Sequence, residues 1–197
     1  MDDEARLRRA LARPAGESSD FDLNPAIRLP EGRKLRPAAV LVAVQPGPQG
    51  ARLILTKRAS HLKHHPGQIS LPGGKQDQTD ASLEATALRE AREEVALPPG
   101  AVEILGTLPA HETVTGFRVT PILALVRQPF IPVPEPGEVE EVFTVPLAHV
   151  LDRSRYAIEG RRWQGQVRRY YAVPWGPYYI WGATARILRG LAERAAE

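Results

Sequence analysis

One amphipathic segment in the middle of the chain, Asp80 to Ala96, constrains the fold more than any other feature. Its apolar residues recur at helical spacing as Leu83, Ala87, Leu88, Ala91 and Val95. Asp80 or Ser82 can cap the start, and Pro98-Pro99-Gly100 ends the pattern. Because a helix with one apolar face must pack that face against another layer, the neighbouring segments have to supply one.

Apolar, β-branched runs on both sides of this helix predict strands. The predicted strands are 38–44 and 52–58 as a hairpin, 68–71, 102–108, 119–127, 139–145 and a pair within 156–173. The segment 111–118 is predicted to be a polar loop, 147–151 a helical turn and 184–196 a closing amphipathic helix. This order predicts an α+β protein, an α/β/α sandwich in which helices cover a mixed β-sheet.

The chain is expected to form one domain with a small attachment. Residues 1–34, with a short helix over 3–12 and a Pro-rich remainder, are predicted to be an N-terminal arm, and 35–197 the domain. No apolar run approaches the roughly 18 residues that a bilayer span needs. The start has neither the basic nor the apolar region of a signal peptide. We therefore expect a cytoplasmic protein without a membrane partner, as a monomer or homodimer.

Charge is distributed unevenly along the chain, although the net charge is only +3. Residues 32–76 contain eight Lys and Arg and no acidic residue, and 77–94 then contain six acidic residues. Such an arrangement suits a protein that holds an anion beside divalent cations. Two solvated faces of opposite sign are the alternative interpretation. The absence of cysteine excludes disulfides, thiol nucleophiles and cysteine-ligated metals.

The helix carries three acidic side chains on one face. At about 100° per residue, Glu90 and Glu94 lie about 40° apart, and Glu93 lies about 60° to the other side. Glutamates at this spacing can also be a solvated surface. The Gly73-Gly74 loop, however, precedes the helix and offers free backbone carbonyls to a metal. An all-oxygen set of this kind is preferred by Mg²⁺ or Mn²⁺ and not by zinc or copper.

This helix and its loop resemble the Nudix box. The usual box reads Gly, five residues, Glu, seven residues, Arg-Glu-apolar-x-Glu-Glu-x-Gly-apolar, and the corresponding residues here are Gly74, Asp80 and 89–97. Asp80 stands one residue further from Arg89 than usual, Ala96 stands where Gly is usual, and Ala91 is a small apolar residue. In the family the first acid pairs with the box arginine, and the extra residue leaves that pairing open here.

A second stretch is similar to the segment that precedes the box in the coenzyme A pyrophosphatase branch. It consists of Leu55-Thr56-Lys57-Arg58-Ala59, Lys63, Gly67 and Leu71-Pro72-Gly73-Gly74, with Lys63 where Arg is usual and Leu71 where Phe is usual. Residues 116–121, 138–147 and 180–185 also look like that branch, so the resemblance covers about 35–188. It implies a Nudix fold and hydrolysis of coenzyme A to adenosine 3',5'-bisphosphate and 4'-phosphopantetheine, with Mg²⁺ or Mn²⁺ as cofactor.

The resemblance also implies site residues. The metal ligands are expected to be Glu90, Glu93, Glu94 and the Gly74 carbonyl, and the catalytic residues Glu93, Glu94 and Arg89. The substrate-binding residues are expected to be Arg58, Lys63, Gly67 and Gly73. The general base stays open between Glu93 or Glu94 on the helix and Glu138, Glu140 or Glu141 further along the chain.

Several alternatives remain beside this hypothesis. The substrate could be another nucleotide, such as NADH, ADP-ribose or a dinucleoside polyphosphate, or the protein could be a non-catalytic ligand sensor. His61, His64 and His65 lack ligand partners at zinc spacing. The basic and aromatic residues of 153–171 are interpreted as the alternating side chains of a half-buried strand pair more readily than as a nucleic-acid or adenine surface. No nucleic-acid partner is expected. Tyr178, Tyr179 and Trp181 are interpreted as core or dimer contacts and not as substrate stackers.

Overall fold

The computed structural model describes residues 2–27, 32–163 and 165–196, except for the side chain of Trp163. Its helices are α1 (Asp3–Ala12), α2 (Leu83–Val95), α3 (Leu147–Leu151) and α4 (Gly182–Ala195). Its strands are β1 (Ser18–Ser19), β2 (Arg36–Gln45), β3 (Arg52–Arg58), β4 (Ile69–Ser70), β5 (Gly73–Lys75), β6 (Val102–Thr107), β7 (His111–Glu112), β8 (Phe117–Val126), β9 (Val139–Pro146), β10 (Ala157–Trp163) and β11 (Gln166–Ala172). Most of them coincide with the predicted elements to within a few residues.

A central mixed sheet contains β1 to β9, and β10 and β11 form a separate antiparallel hairpin. The main path of the sheet runs β1-β7-β8-β2-β3-β4, with β5 paired to β2, β6 to β8 and β9 to β3. The β2–β8 and β1–β7 pairs are parallel, and β2 and β3 form the predicted antiparallel hairpin. The C-terminal end of β3 and the start of β9 therefore lie side by side, with Arg58 opposite Val139.

Two hydrophobic cores lie on opposite faces of this sheet. On one face, α2 packs Ala87, Ala91 and Val95 against strand residues such as Leu41, Ile54 and Ile122. On the other face, α1, α3 and α4 pack against strand residues such as Leu53, Leu55 and Leu123. Side chains alternate along a strand, so consecutive residues of β3 face different helical layers. The predicted α/β/α sandwich is confirmed.

The segment expected as an N-terminal arm is packed onto the domain. Leu7 of α1 is fully buried, Arg6 donates to the Ala195 carbonyl at 3.1 Å, and Arg194 donates to the carbonyls of Ala10 and Leu11. β1 adds a parallel strand beside β7. Residues 28–31 of this segment lie outside the described residues, and the boundary at residue 34 stays a prediction.

Two local differences from the predicted elements have clear causes. α2 begins at Leu83 because Ser82 is its N-cap and accepts a hydrogen bond from the Ala85 N–H at 3.1 Å. The predicted polar loop at 111–118 contains β7, and His111 is fully buried with its ring nitrogens 2.9 Å from Ser18 Oγ and 3.1 Å from Asp20 Oδ1. Burial of a paired histidine inside a polar segment leaves no periodic signal.

Within the described part of the chain, no helix has both the length and the apolar character needed to cross a membrane.

Candidate active site

The two glycines before α2 are required by close backbone contacts. Gly73 has φ +154°, and a Cβ added there would lie 2.3 Å from the Ala39 carbonyl oxygen and 2.5 Å from Val40 Cα. A Cβ on Gly74 would lie 2.5 Å from Glu90 Oε1. All three distances are far below van der Waals contact. The loop can therefore approach β2 and the Glu90 carboxylate only because these residues lack side chains.

Arg89 braces the loop against the helix. Its Nε and Nη2 each donate to one oxygen of Asp80 at 2.9 Å, and Nη2 also donates to the Lys75 carbonyl. The pairing that the box spacing left open is therefore formed. The extra residue lies between Asp80 and Arg89, where 81–82 precede the first turn of α2. In the loop before it, Asp80 N–H donates to the Asp77 carbonyl, and Asp77 N–H donates to Asp80 Oδ2. The Arg89 guanidinium and this backbone N–H hold the pKa of Asp80 well below its usual range.

The same guanidinium also holds two of the three box glutamates. Arg89 Nη1 donates to Glu90 Oε1 at 2.9 Å and to Glu93 Oε2 at 3.0 Å. Glu93 is mostly exposed, whereas Glu90 is partly buried beside Gly74. The donors of Arg89 are thus directed at the loop and at the acidic residues, which is the geometry of a bracing residue.

Glu94 is the most buried of the three carboxylates, at 5% exposure. Its Oε2 accepts a hydrogen bond from the Gly73 N–H at 3.2 Å. Burial raises the pKa of Glu94 to about 8; the charges of Glu90 and Glu138 act in the same direction, and the Gly73 N–H and Arg58 oppose it. Burial also raises the pKa of Glu90. For both carboxylates the effect of burial on the pKa therefore outweighs that of the neighbouring arginine, Arg89 for Glu90 and Arg58 for Glu94.

The arrangement fits a divalent cation. Glu90, Glu94 and the Gly74 carbonyl present only oxygen atoms, and a cation between the carboxylates would compensate their desolvation. Among the residues that the structure describes, no three His, Cys, Asp or Glu side chains are gathered as a complete metal site. Glu93 is turned toward Arg89 instead. Of the three expected carboxylate ligands, the structure therefore brings Glu90 and Glu94 together but not Glu93.

Three of the expected substrate-binding residues, Arg58, Lys63 and Gly67, lie in or next to the loop 59–68 between β3 and β4. Arg58 N–H donates to the Gln68 carbonyl at 3.0 Å and Gly67 N–H donates to the Arg58 carbonyl at 3.1 Å, and these two hydrogen bonds join the ends of the loop. Gly67 adopts φ +68°, which favours glycine. The positive charge of Arg58 lowers the pKa of Glu94, so Arg58 lies near the carboxylates of Glu90 and Glu94, which we call the carboxylate cluster. Lys63 is exposed in the middle of the same loop.

The three candidate bases on and before β9 have different surroundings. Glu140 binds Lys57 Nζ at 2.6 Å and Ser60, and Lys57 lowers the pKa of Glu140 to about 2. Glu141 accepts a hydrogen bond from the Tyr178 hydroxyl.

Glu138 differs from Glu140 and Glu141 because its negative charge lies close to the acidic residues of α2. It is exposed, and it raises the pKa of both Glu90 and Glu94. Its carbonyl accepts a hydrogen bond from the Ala59 N–H at 2.8 Å, which fixes it next to Arg58. Of the three, Glu138 is therefore the one directed at the carboxylate cluster.

Of the aromatic residues before α4, Tyr178 packs against the hydrophobic core, as expected, and the three also form part of a cavity wall; the expected dimer contact stays a prediction. Tyr178, Tyr179 and Trp181 line a cavity of about 690 Å³ together with the 65–69 segment. Tyr179 remains 39% exposed. Their sequence signal is a cluster of aromatic residues at a helix entrance, which is also typical of a core. The pattern could not distinguish a cavity wall from buried packing.

Comparison with known proteins gives a consistent result. The family described as NUDIX domain matches residues 34–164. A protein from Enterobacter sp. (strain 638), named uncharacterized Nudix hydrolase NudL, is 47% identical over 161 residues, covering 80% of this chain and 81% of the relative. A protein of the same name from Salmonella paratyphi B is 48% identical over 157 residues, with the same coverage. The crystal structure of a MutT protein from Methanosarcina mazei Go1 is similar in fold, with a TM-score of 0.53 at 19% identity over 84% of this chain and 96% of that one.

Proposed function

Because this chain belongs to the Nudix family and is a Nudix hydrolase acting on a nucleotide-like substrate, we propose as its specific reaction the hydrolysis of the pyrophosphate bond of coenzyme A. The products would be adenosine 3',5'-bisphosphate and 4'-phosphopantetheine. The supporting observation is a contact between the two motifs. Gly73, in the segment that resembles the coenzyme A branch, donates its N–H to Glu94 of the box. Arg58, from the same segment, lies close enough to lower the pKa of Glu94.

Nudix hydrolases use divalent metal ions, and Mg²⁺ or Mn²⁺ is proposed for this chain. Glu90, Glu94 and the Gly74 carbonyl would hold the metal, with Glu93 available after it leaves Arg89. When bound, such an ion neutralises pyrophosphate oxygens and lowers the pKa of a coordinated water.

The remaining roles belong to residues around the carboxylates. Arg58 binds a phosphate oxygen and supplies positive charge beside Glu94, and Lys63 binds the more exposed end of the pyrophosphate. Arg89 is a positioning residue that fixes Glu90 through its hydrogen bond. Glu138 accepts the proton of the attacking water, because it is exposed, faces the cluster and has no side-chain cation bound to it among the described residues.

The decisive experiment incubates the purified protein with Mg²⁺ or Mn²⁺ and coenzyme A and follows adenosine 3',5'-bisphosphate by chromatography. NADH, ADP-ribose and a dinucleoside polyphosphate serve as comparison substrates. We expect coenzyme A to have the highest kcat/KM. Turnover of another nucleotide with no cleavage of coenzyme A would refute the substrate and leave the family assignment intact.

Site variants separate the proposed roles. Glu90→Gln and Glu138→Gln should each lower kcat by about a hundredfold or more, since one weakens metal binding and the other removes the base. Glu138→Gln should retain metal binding, whereas Glu90→Gln should not. Glu140→Gln is the matched control, because Glu140 is bound by Lys57 and Ser60 and is not among the charges that shift the pKa of Glu90 or Glu94. If Glu138→Gln were fully active, the base would be on the box helix.

A further inference from the structure

The 690 Å³ cavity between the 65–69 segment and the start of α4 has no role in the mechanism above. It opens on the face of the sheet that carries α4, because Ile69 in its wall packs in that hydrophobic core. The carboxylate cluster lies on the α2 face at the same end of β3. Lys57 and Arg58 are adjacent in β3, and they point to the cavity and to the carboxylates respectively.

One wall of the cavity is aromatic. Tyr178 is stacked on Phe143 with ring centroids 3.6 Å apart, which fixes the Tyr178 ring against the sheet. Tyr179 and Trp181 lie 6.4 Å apart, and Trp181 also contacts Tyr170 at 5.0 Å. These rings support one another, so a planar ligand would meet a surface that is already ordered.

Charged residues also line the cavity. Lys57 lines it but is bound by Glu140. Arg161 of β10 also lines it, and within the described ranges no hydrogen bond or ion pair of its guanidinium is found. The carboxylate of Glu141 adds an acceptor, already used by the Tyr178 hydroxyl. Arg161 is therefore a cation available to an anionic ligand.

The cavity is close to the catalytic loop along the chain. Gly67, Gln68 and Ile69 form part of its wall, and Gly73 follows four residues after Ile69. Four residues reach at most about 14 Å even when fully extended. The wall is also fixed on the other side, since Thr184 Oγ1 donates to the Ile69 carbonyl at 3.1 Å. One ligand can therefore reach both the carboxylate cluster and this cavity around the end of the sheet.

We infer that this cavity binds the 3'-phosphoadenosine half of the substrate, with the base against the Tyr179 and Trp181 rings and the 3'-phosphate on Arg161. The inference rests on the proposed function. A heteroaromatic ring stacks on aromatic side chains, and a guanidinium pairs with phosphate through charge-assisted hydrogen bonds. The pantetheine half carries neither an aromatic ring nor a second phosphate, so the combination of an aromatic wall and a free arginine fits the nucleotide half better.

The first test measures binding of adenosine 3',5'-bisphosphate to the metal-free protein by calorimetry, with adenosine 5'-monophosphate as the ligand that lacks the 3'-phosphate. Arg161→Ala should raise the Kd of the bisphosphate about tenfold or more and remove its preference over the monophosphate. Arg162→Ala is the matched control, because the next residue of β10 lies on the other face of the hairpin. It should change the Kd less than about twofold.

The second test addresses the base. Tyr179→Leu removes the ring and should raise the Kd of both nucleotides about tenfold. Tyr179→Phe keeps the ring and loses only the hydroxyl, which is bonded to Glu159 and Tyr170, so its Kd should stay within about threefold. Thermal melting of each variant confirms that the fold is retained.

The outcomes distinguish this inference from the proposed function. If coenzyme A is cleaved while Arg161→Ala and Tyr179→Leu leave nucleotide binding unchanged, the inference is wrong and the function stands. Tight binding of 4'-phosphopantetheine that depends on Tyr179 would also overturn it. If coenzyme A is not cleaved but the bisphosphate binds with the expected dependence on Arg161, the nucleotide site is supported and the substrate assignment fails.

Discussion

Glu94→Gln should make the metal-free protein more stable while it impairs catalysis. Glu94 is 5% exposed, and its Oε2 accepts a hydrogen bond from the Gly73 N–H. Burial raises the pKa of Glu94 to about 8, so the folded protein favours the protonated carboxyl group. Glutamine has the same shape and an oxygen that can accept the same bond, and it never ionises. The substitution therefore removes a buried charge without removing the packing.

The size of the effect follows from proton linkage. When the pKa of a group is higher in the folded than in the unfolded protein, its contribution to the free energy of unfolding is complete below the unfolded pKa. This contribution is lost as the pH rises toward the folded pKa. For Glu94 this window runs from the ordinary glutamate value of 4.5 to about 8. Each pH unit inside the window is worth about 1.4 kcal/mol, so the loss between pH 5 and pH 7 is about 2.5 kcal/mol.

The assay is urea denaturation of wild type and variant with a chelator present, repeated from pH 5 to pH 8. The advantage of Glu94→Gln in free energy of unfolding should grow by about 2.5 kcal/mol between pH 5 and pH 7. Glu84→Gln in the same helix is the matched control with the opposite sign. Hydrogen bonds from its own N–H and from Ser82 hold the pKa of Glu84 below the usual value, so this variant should be the less stable one near neutral pH.

Saturating Mg²⁺ provides an independent readout of the same charge. Metal should stabilise the wild type more than Glu94→Gln, because a cation compensates an ionised carboxylate and not an amide. Parallel stability curves for wild type and Glu94→Gln across the whole pH range would refute the argument. Such curves would mean that Glu94 is solvated in the folded protein and that its burial does not act on its ionisation.

Three further variants test the geometry around α2. Ala96→Gly should raise the free energy of unfolding by about 1 kcal/mol in urea denaturation, because Ala96 ends α2 at φ +58°; a loss of stability would contradict this. Gly74→Ala should lower kcat about a hundredfold with a small change in Tm, since its Cβ would displace the end of the Glu90 side chain and no backbone atom; an active variant would exclude Glu90 as a ligand. Asp80→Asn should cost about 2 kcal/mol near neutral pH and progressively less as the pH falls below the usual aspartate pKa, because it weakens the bidentate pair with Arg89; a cost independent of pH would disprove the ionic origin.

The predicted elements were accurate where burial imposes a period on the sequence. α2 has apolar residues every three or four positions because one face covers the sheet, and β3 reads as a continuous apolar run because both faces are covered by helices. The box glutamates could be predicted for the same reason, since their placement depends only on helical geometry.

Contacts between distant segments could not be predicted. Ser18 and His111 are 93 residues apart and meet only because β1 pairs with β7, a pairing of two residues on each side that leaves no periodic signal. The cavity beside β4 likewise combines the 65–69 segment, β10 and the entrance of α4. Each contributes residues whose composition is equally suited to a surface or a core, so the cavity exists only at the level of tertiary packing.

The departures from the usual box have a common structural explanation. The extra residue lies between Asp80 and Arg89, where 81–82 lead into α2 and Ser82 caps its start, and the Arg89 guanidinium still donates to both oxygens of Asp80. Ala96 replaces the glycine at the end of α2 and keeps the left-handed conformation at a modest cost. Both changes lie at the ends of α2. Between them, Glu90 lies against Gly74 and Glu94 accepts from the Gly73 N–H, which are the contacts on which the proposed mechanism rests. Variation in the box is therefore tolerated where it alters how the helix is attached, and we expect it not to be tolerated where it alters how the helix faces the glycine loop.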